Sequence, residues 1–266
     1  MKCVMKLSDA DLRFVVETLV SNRSDHGKII ESLKGKEDFL EPMLNDPRLA
    51  QRLMNEEEAF VRVSPFLMFS ILLRRVRADL EERDFVLEIE ESGKRVPIFQ
   101  ARQVVELLAE PATLEYLTEM LCSFVRTNTA VLYWKERGHW RKRRICDINL
   151  DDMISLCQLV EPEFRPRIYK RIADIALFLT GIYPDHAGVW VSRPHTFTRG
   201  ERSIADYESE GRRFYALAAR CATPPWTQSL FEQLAENFTL ARHALNTLSD
   251  GYLKSLRSRF FGTPSN

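Results

Sequence analysis

Residues 64 to 82 read SPFLMFSILLRRVRADLEE, and the fold class turns on whether this stretch is a helix or a buried strand. Ser64-Pro65 decides it. A serine hydroxyl can accept from a first-turn N–H, and the fixed φ of proline suits the first helical position. Apolar residues then fill almost every position from Phe66 to Leu73 before Arg74 and Arg75 end the run. That run is far short of the roughly 20 residues a membrane span needs. The stretch is therefore read as a core helix through about Glu82. Leu67, Phe69, Leu72, Leu73 and Val76 should be buried, and the rest of the chain must supply their partners.

Helix signals recur on both sides. Ser8 with Asp11 three residues on is a capping pair, and Leu12, Val15, Val16, Leu19 and Val20 follow on one face. Short helices are predicted near Lys28–Leu33 and Asp38–Leu44, and Asp46-Pro47 opens another. Further helices are predicted over Ala101–Ala109, Ala112–Arg126, Leu150–Leu159, Glu163–Thr180, Ser203–Cys221 and Thr227–Leu248. A short amphipathic one is predicted over Tyr252–Phe261. Gly181 stands where a left-handed cap would end the Glu163 helix, and Gly211 would let two helices approach closely.

Two segments alternate instead. In 85–99, FVLEIEESGKRVPIF, the turn is Ser92-Gly93, and Pro97 places the return strand at an edge. In 130–145 the turn is Arg137-Gly138, which pairs Glu136 with His139, Lys135 with Trp140, Trp134 with Arg141, Tyr133 with Lys142 and Leu132 with Arg143. The expected architecture is mainly α: a single multi-helix domain over 1–261 with two β-hairpins. A loose tail occupies 262–266, and a possible sub-boundary falls in the loop 183–201.

The segment KRIADIALFLTGIYPDH together with SIADYESEGRRFYALAA, between Lys170 and Ala219, resembles a pattern of helical bacterial proteins of uncharacterised function. It is a packing pattern, so the resemblance implies the fold class and no activity.

Charge and cysteine narrow the function classes. Lys+Arg and Asp+Glu are 38 each, so no global field draws the chain to nucleic acid or anionic lipid. Five scattered cysteines without a Cys-x-x-Cys pair point to a reducing compartment, and the start MKCVMKLSDADLRF lacks an apolar signal segment. A cytoplasmic location is expected. There is no dinucleotide or phosphate-loop glycine motif, no Gly-x-Ser-x-Gly and no His-Glu-x-x-His, and no cofactor is expected.

Three constellations remain. Asp174 lies among apolar residues, with Lys170 and Arg171 one turn before it; it is either a structural ion pair or a proton-transfer acid, and the first reading is preferred. His186 and His195 flank the 183–201 loop with Asp185 and Tyr183 nearby; they are candidate metal ligands, but their loose spacing makes ordinary loop histidines the preferred reading. Asp147, Asp151 and Asp152 suit a helix N-terminus. His26, His139 and His243 stand isolated along the chain.

The basic hairpin, YWKERGHWRKRRICD over 133–147, is the candidate binding surface: Trp134, Lys135, Arg137, Trp140, Arg141, Lys142, Arg143 and Arg144. Cross-strand aromatic–cation contacts brace such a ribbon without any ligand, and Glu88, Glu90 and Glu91 of the other hairpin are available counter-charges. The preferred reading is a protein-binding or adaptor protein without catalysis of its own. The alternative is a nucleic-acid-associated regulator using the hairpin. The third is an enzyme centred on Asp174 or the 183–195 loop.

Overall fold

The computed structural model describes residues 7–34, 36–56, 58–89, 94–125, 129–136, 139–184 and 202–254, with backbone alone at 37–38, 129–136 and 139–145. They gather into two compact units: Met1–Phe85 with Phe99–Cys122, and Val86–Ile98 with Ser123–Asn266. Divisions thus fall at 85/86, 98/99 and 122/123. Most of the expected sub-boundary loop, residues 185–201, and the expected tail 262–266 lie outside the described residues. The fold is mainly α with two antiparallel hairpins. Among the described residues, no helix is long and apolar enough to cross a membrane.

The first unit holds α1 (Asp9–Leu19), α2 (His26–Leu33), α3 (Glu37–Leu44), α4 (Pro47–Asn55), a single turn α5 (Ala59–Arg62), α6 (Pro65–Glu81), α7 (Ala101–Ala109) and most of α8 (Pro111–Phe124). The capping pair of α1 forms as read: Asp11 N donates to Ser8 Oγ at 3.1 Å, and Ser8 N donates to Asp11 Oδ2 at 2.9 Å. Asp11 does more than its local pattern shows. Fully buried, it also accepts from Ser64 N at 2.7 Å, tying the start of α1 to the start of α6. Ser64 in turn accepts from Leu67 N at 3.1 Å. The apolar front of α6 is closed to solvent, and Arg74 is buried with it, paired to Glu41 at 2.5 Å and donating to Ser70 O at 3.1 Å.

The second unit begins with an arm, β1 (Val86–Ile89) and β2 (Arg95–Ile98), paired from Val86↔Ile98 to Ile89↔Arg95. The second hairpin, β3 (Thr129–Glu136) and β4 (His139–Cys146), takes the register read from the sequence, including Trp134↔Arg141 and Lys135↔Trp140. Helices α9 (Leu150–Leu159), α10 (Arg165–Ile182), α11 (Ile204–Arg220), α12 (Pro225–Glu236) and α13 (Phe238–Leu248) follow. A π-helical turn, Ser249–Leu253, extends the last; the rest of the helix expected to Phe261 lies outside the described residues. The second half of α10 is buried on every side and packs against α11 and α13.

Two expectations change here. Gly181 is not a cap: α10 runs past it, and a Cβ there would come within 2.6 Å of the Leu245 Cβ. It is a contact glycine, as Gly211 is, where a Cβ would sit 2.2 Å from the Phe238 ring. The single helix expected over 227–248 is two helices broken at Asn237. The break has partners. Arg212 donates to the carbonyls of Ala235 and Glu236 at 2.9 and 2.7 Å, satisfying the open end of α12 as a cation should. In the arm, Val86 and Ile89 are buried, while Phe85 and Leu87 are each 40% exposed.

Leu72 is wholly buried in α6. Leu72→Ala should cost about 2–5 kcal/mol by denaturant melt, the range for truncating a core leucine. A cost below about 0.5 kcal/mol would mean the site is not a packed core position.

Candidate functional site

Asp174 is 1% exposed on α10. Lys170 Nζ donates to its Oδ2 at 2.7 Å, and the buried Tyr215 hydroxyl donates to Oδ1 at 2.9 Å. Lys170 stands one helical turn away and its side chain is partly exposed, so the ammonium needs little desolvation to reach the acid. Arg171, the other cation considered, turns elsewhere. It donates to Asp147 O at 3.1 Å and Ser123 Oγ at 2.8 Å, and its guanidinium lies 3.9 Å from the Phe124 ring centroid. Both Asp174 oxygens are engaged inside the fold, which is the arrangement of a structural acid.

A second charged cluster was hidden from the sequence. His243, isolated along the chain, is 1% exposed, and its Nε2 lies 2.6 Å from Glu88 Oε2. Arg242, 3% exposed, grips the same carboxylate with Nη1 and Nη2 at 2.6 and 2.7 Å. Its Nε faces Glu208 Oε2 at 3.4 Å, and Glu208 also accepts from Arg212 at 2.9 Å and from Thr239. Two buried side chains of α13 thus fasten the arm, and Arg95 to Asp250 adds a bidentate pair at 2.5 and 3.0 Å. Glu88 is therefore not a spare counter-charge for the basic hairpin. Burial works to raise its carboxyl pKa, but the hydrogen bonds and charges of His243 and Arg242 outweigh it and hold the group at about 2. No sequence rule joins residues 88, 208 and 243, because their proximity exists only once β1 lies on α13.

The third feature is a cleft of about 430 Å³ between α9, α10 and α11, open to solvent. Ile154, Tyr169, Phe214 and Leu217 make its apolar lining, with Arg165 and Arg213 among them. The Tyr169 and Phe214 rings meet at 5.8 Å. Cys157 also lines it, yet burial pushes its thiol pKa up, against the opposing pull of Arg165 and a hydrogen bond with Tyr169. A thiol so placed is a poor nucleophile.

The remaining candidates are placed as follows. His186 and His195 lie outside the described residues, as does Arg137. Trp134, Lys135, Trp140, Arg141, Lys142, Arg143 and Arg144 are described in backbone only, on opposed strands of one ribbon. Asp151 pairs with Arg202 at 2.5 Å, and Asp152 accepts from Cys146 N at 3.1 Å. Asn149 caps α9 by accepting from Asp152 N at 3.0 Å. Among the described residues, no group of three or more His, Cys, Asp and Glu could hold a metal ion.

Comparison with known proteins finds no matching family model, no similar curated protein and no similar solved structure.

Two expectations follow from the buried charges. Asp174→Asn leaves Lys170 without its counter-charge and disturbs the Tyr215 bond, and should destabilise the fold by about 1–3 kcal/mol. An unchanged thermal melt would overturn this account. Glu88 has a folded pKa depressed to about 2 from 4.5, so its contribution is complete above pH 4.5 and is lost as pH falls towards 2. Solvent still reaches the Glu88 side chain and screens the pair, so the contribution is on the order of 1–2 kcal/mol. Denaturant titrations of the native chain and of Glu88→Gln at stepped pH should show a stability gap at pH 6 that narrows below pH 4. A gap independent of pH would show that the carboxylate charge does not hold the arm.

Proposed function

We propose that this protein acts by binding another protein, in the cytoplasm, without chemistry of its own. The observation that carries this reading is the cleft between α9, α10 and α11 with its apolar surroundings. Helix α9 buries only Leu150 and Met153; Ile154, Leu156 and Cys157 are half-covered. Leu159 and Phe164, next in sequence to cleft residues, are 48% and 56% exposed. Contiguous half-covered apolar surface rimmed by polar groups is characteristic of association sites. Asp174, the acid considered for proton transfer, has both oxygens committed within the fold, which supports a role outside catalysis.

The test is recovery of the tagged full chain from cells that express it naturally. A polypeptide should co-purify in fixed stoichiometry. The paired substitutions Leu159→Asp and Phe164→Asp should lower its recovery by about tenfold, equivalent to about 1.4 kcal/mol. Both sites are exposed, so the melting temperature should hold. Recovery of nucleic acid in place of protein would overturn the reading in favour of the basic hairpin. In that case the log–log salt slope would approach about −5 for six neutralised phosphates, and Arg141→Ala/Arg143→Ala would reduce it by about two.

A further inference from the structure

Arginines in the second unit are mostly occupied. Arg242 and Arg212 serve Glu88 and Glu208, Arg171 serves Asp147, and Arg202 serves Asp151. In the cleft, Arg213 is paired with Glu210 at 2.6 Å and lies over the Phe214 ring at 4.6 Å. Arg165 differs. Its Nε donates to Val160 O at 3.3 Å, which caps the end of α9, and among the described residues its two terminal amino groups make no hydrogen bond or ion pair. The residue is half-buried, at a cleft whose lining includes no acid.

A guanidinium held by Nε alone presents its outer edge, a planar pair of N–H donors. That geometry matches a carboxylate bidentately, and a partly apolar site strengthens the bond relative to water. Beside it, Tyr169, Phe214 and Leu217 offer a place for an apolar side chain, and the exposed Leu159 and Phe164 extend the surface along the end of α9.

We propose that the cleft receives an acidic amphipathic segment of the partner protein, with apolar side chains seated on Tyr169, Phe214 and Leu217 and a carboxylate bound by Arg165. This rests on the protein-binding reading and names the chemistry of what binds. Charge complementarity selects the occupant: Arg213 is compensated by Glu210, whereas Arg165 meets no carboxylate among the described residues, so an acidic segment gains at this guanidinium where a basic one is repelled. The apolar anchor distinguishes it from a phosphate backbone, which would need several cations and no greasy seat. A helix laid in a groove presents apolar anchors on one face with acids beside them, which is the pattern this lining fits.

The probes are fluorescein-labelled synthetic helical peptides with Leu and Phe on one face and Glu flanking them, and three siblings: Glu→Gln, Glu→Lys, and Leu/Phe→Ser. Anisotropy titration with the full chain should show the Glu peptide binding about tenfold more tightly than the Gln peptide, with the Lys and Ser peptides weaker still. Arg165→Gln should abolish the Glu-over-Gln preference. Leu217→Asp should weaken both. Equal binding of the Glu and Gln peptides, persistence of the preference in Arg165→Gln, or no binding of any peptide up to about 1 mM would overturn the proposal. Displacement of the Glu peptide by a single-stranded oligonucleotide would also overturn it, since the cleft would then be reading anionic charge alone. Should Arg165→Gln fail to fold, the Lys peptide on the native chain decides: affinity equal to that of the Glu peptide sinks the proposal. The two readings separate cleanly. A co-purifying partner recovered equally by the native chain and Arg165→Gln refutes the carboxylate contact and leaves protein binding standing; absence of any co-purifying polypeptide refutes the binding reading itself.

Discussion

The helices of the second unit lie at distances set by two glycines, Gly181 against Leu245 and Gly211 against Phe238, where even a methyl group would overlap its neighbour. Close-packed interiors do not absorb such overlaps cheaply, so these contacts fix how α13 lies on α10 and α11. The charge cluster around Glu88 follows from this seating. With α13 in place, Arg242 and His243 are buried and need a carboxylate, and β1 supplies Glu88. Asn246 and Ser249 complete the join by donating to the carbonyls of Thr180 and Ile182 at 3.1 and 2.7 Å.

Buried charge in this protein is used for position. Breaking a buried pair by removing one partner costs more than the pair itself contributes, so such pairs lock geometry even where their net stabilisation is small. Asp11 locks α1 to the start of α6, Arg74 locks α6 to Glu41, Asp174 locks α10 to Tyr215, and Glu88 locks the arm. Against this background Arg165 is notable for the donors it leaves open beside an apolar cleft. Among the described residues, the other half-buried cations are paired, whereas the terminal amino groups of Arg165 are not. That contrast, together with the half-covered face of α9, directs attention to binding.

The helix starts were legible because they are local. Ser8 with Asp11, Asp46-Pro47 and Ser64-Pro65 all place an acceptor within three residues of the N–H it satisfies, and each forms as the spacing implies. The register of β3 and β4 was equally local, since a two-residue turn leaves one pairing. Errors arose where a residue had both a local and a distant use. Gly181 satisfies the pattern of a helix cap, yet it serves a contact with Leu245, 64 positions away in the chain. Asn237 interrupts what reads as one helix because Arg212, on another helix, is available to take the carbonyls that the break exposes.

The same division runs through the candidate site. The sequence offered Asp174 two cations one helical turn away, Lys170 and Arg171, and the structure selects Lys170; the burial of α6 could be read from an unbroken apolar run. Composition and spacing alone therefore determined the fold class, most helix starts, the register of β3 and β4, and that one buried acid would meet a cation a turn away. Only the tertiary structure decided that Glu88, Arg242 and His243 meet, that Val86 and not Leu87 faces inward, and that Arg165 keeps open donors beside an apolar cleft. The reason is physical: helix and hairpin patterns are fixed by bonds spanning at most a few residues, whereas a charge cluster or a cleft is fixed by which faces of distant elements can approach closely enough to exclude water.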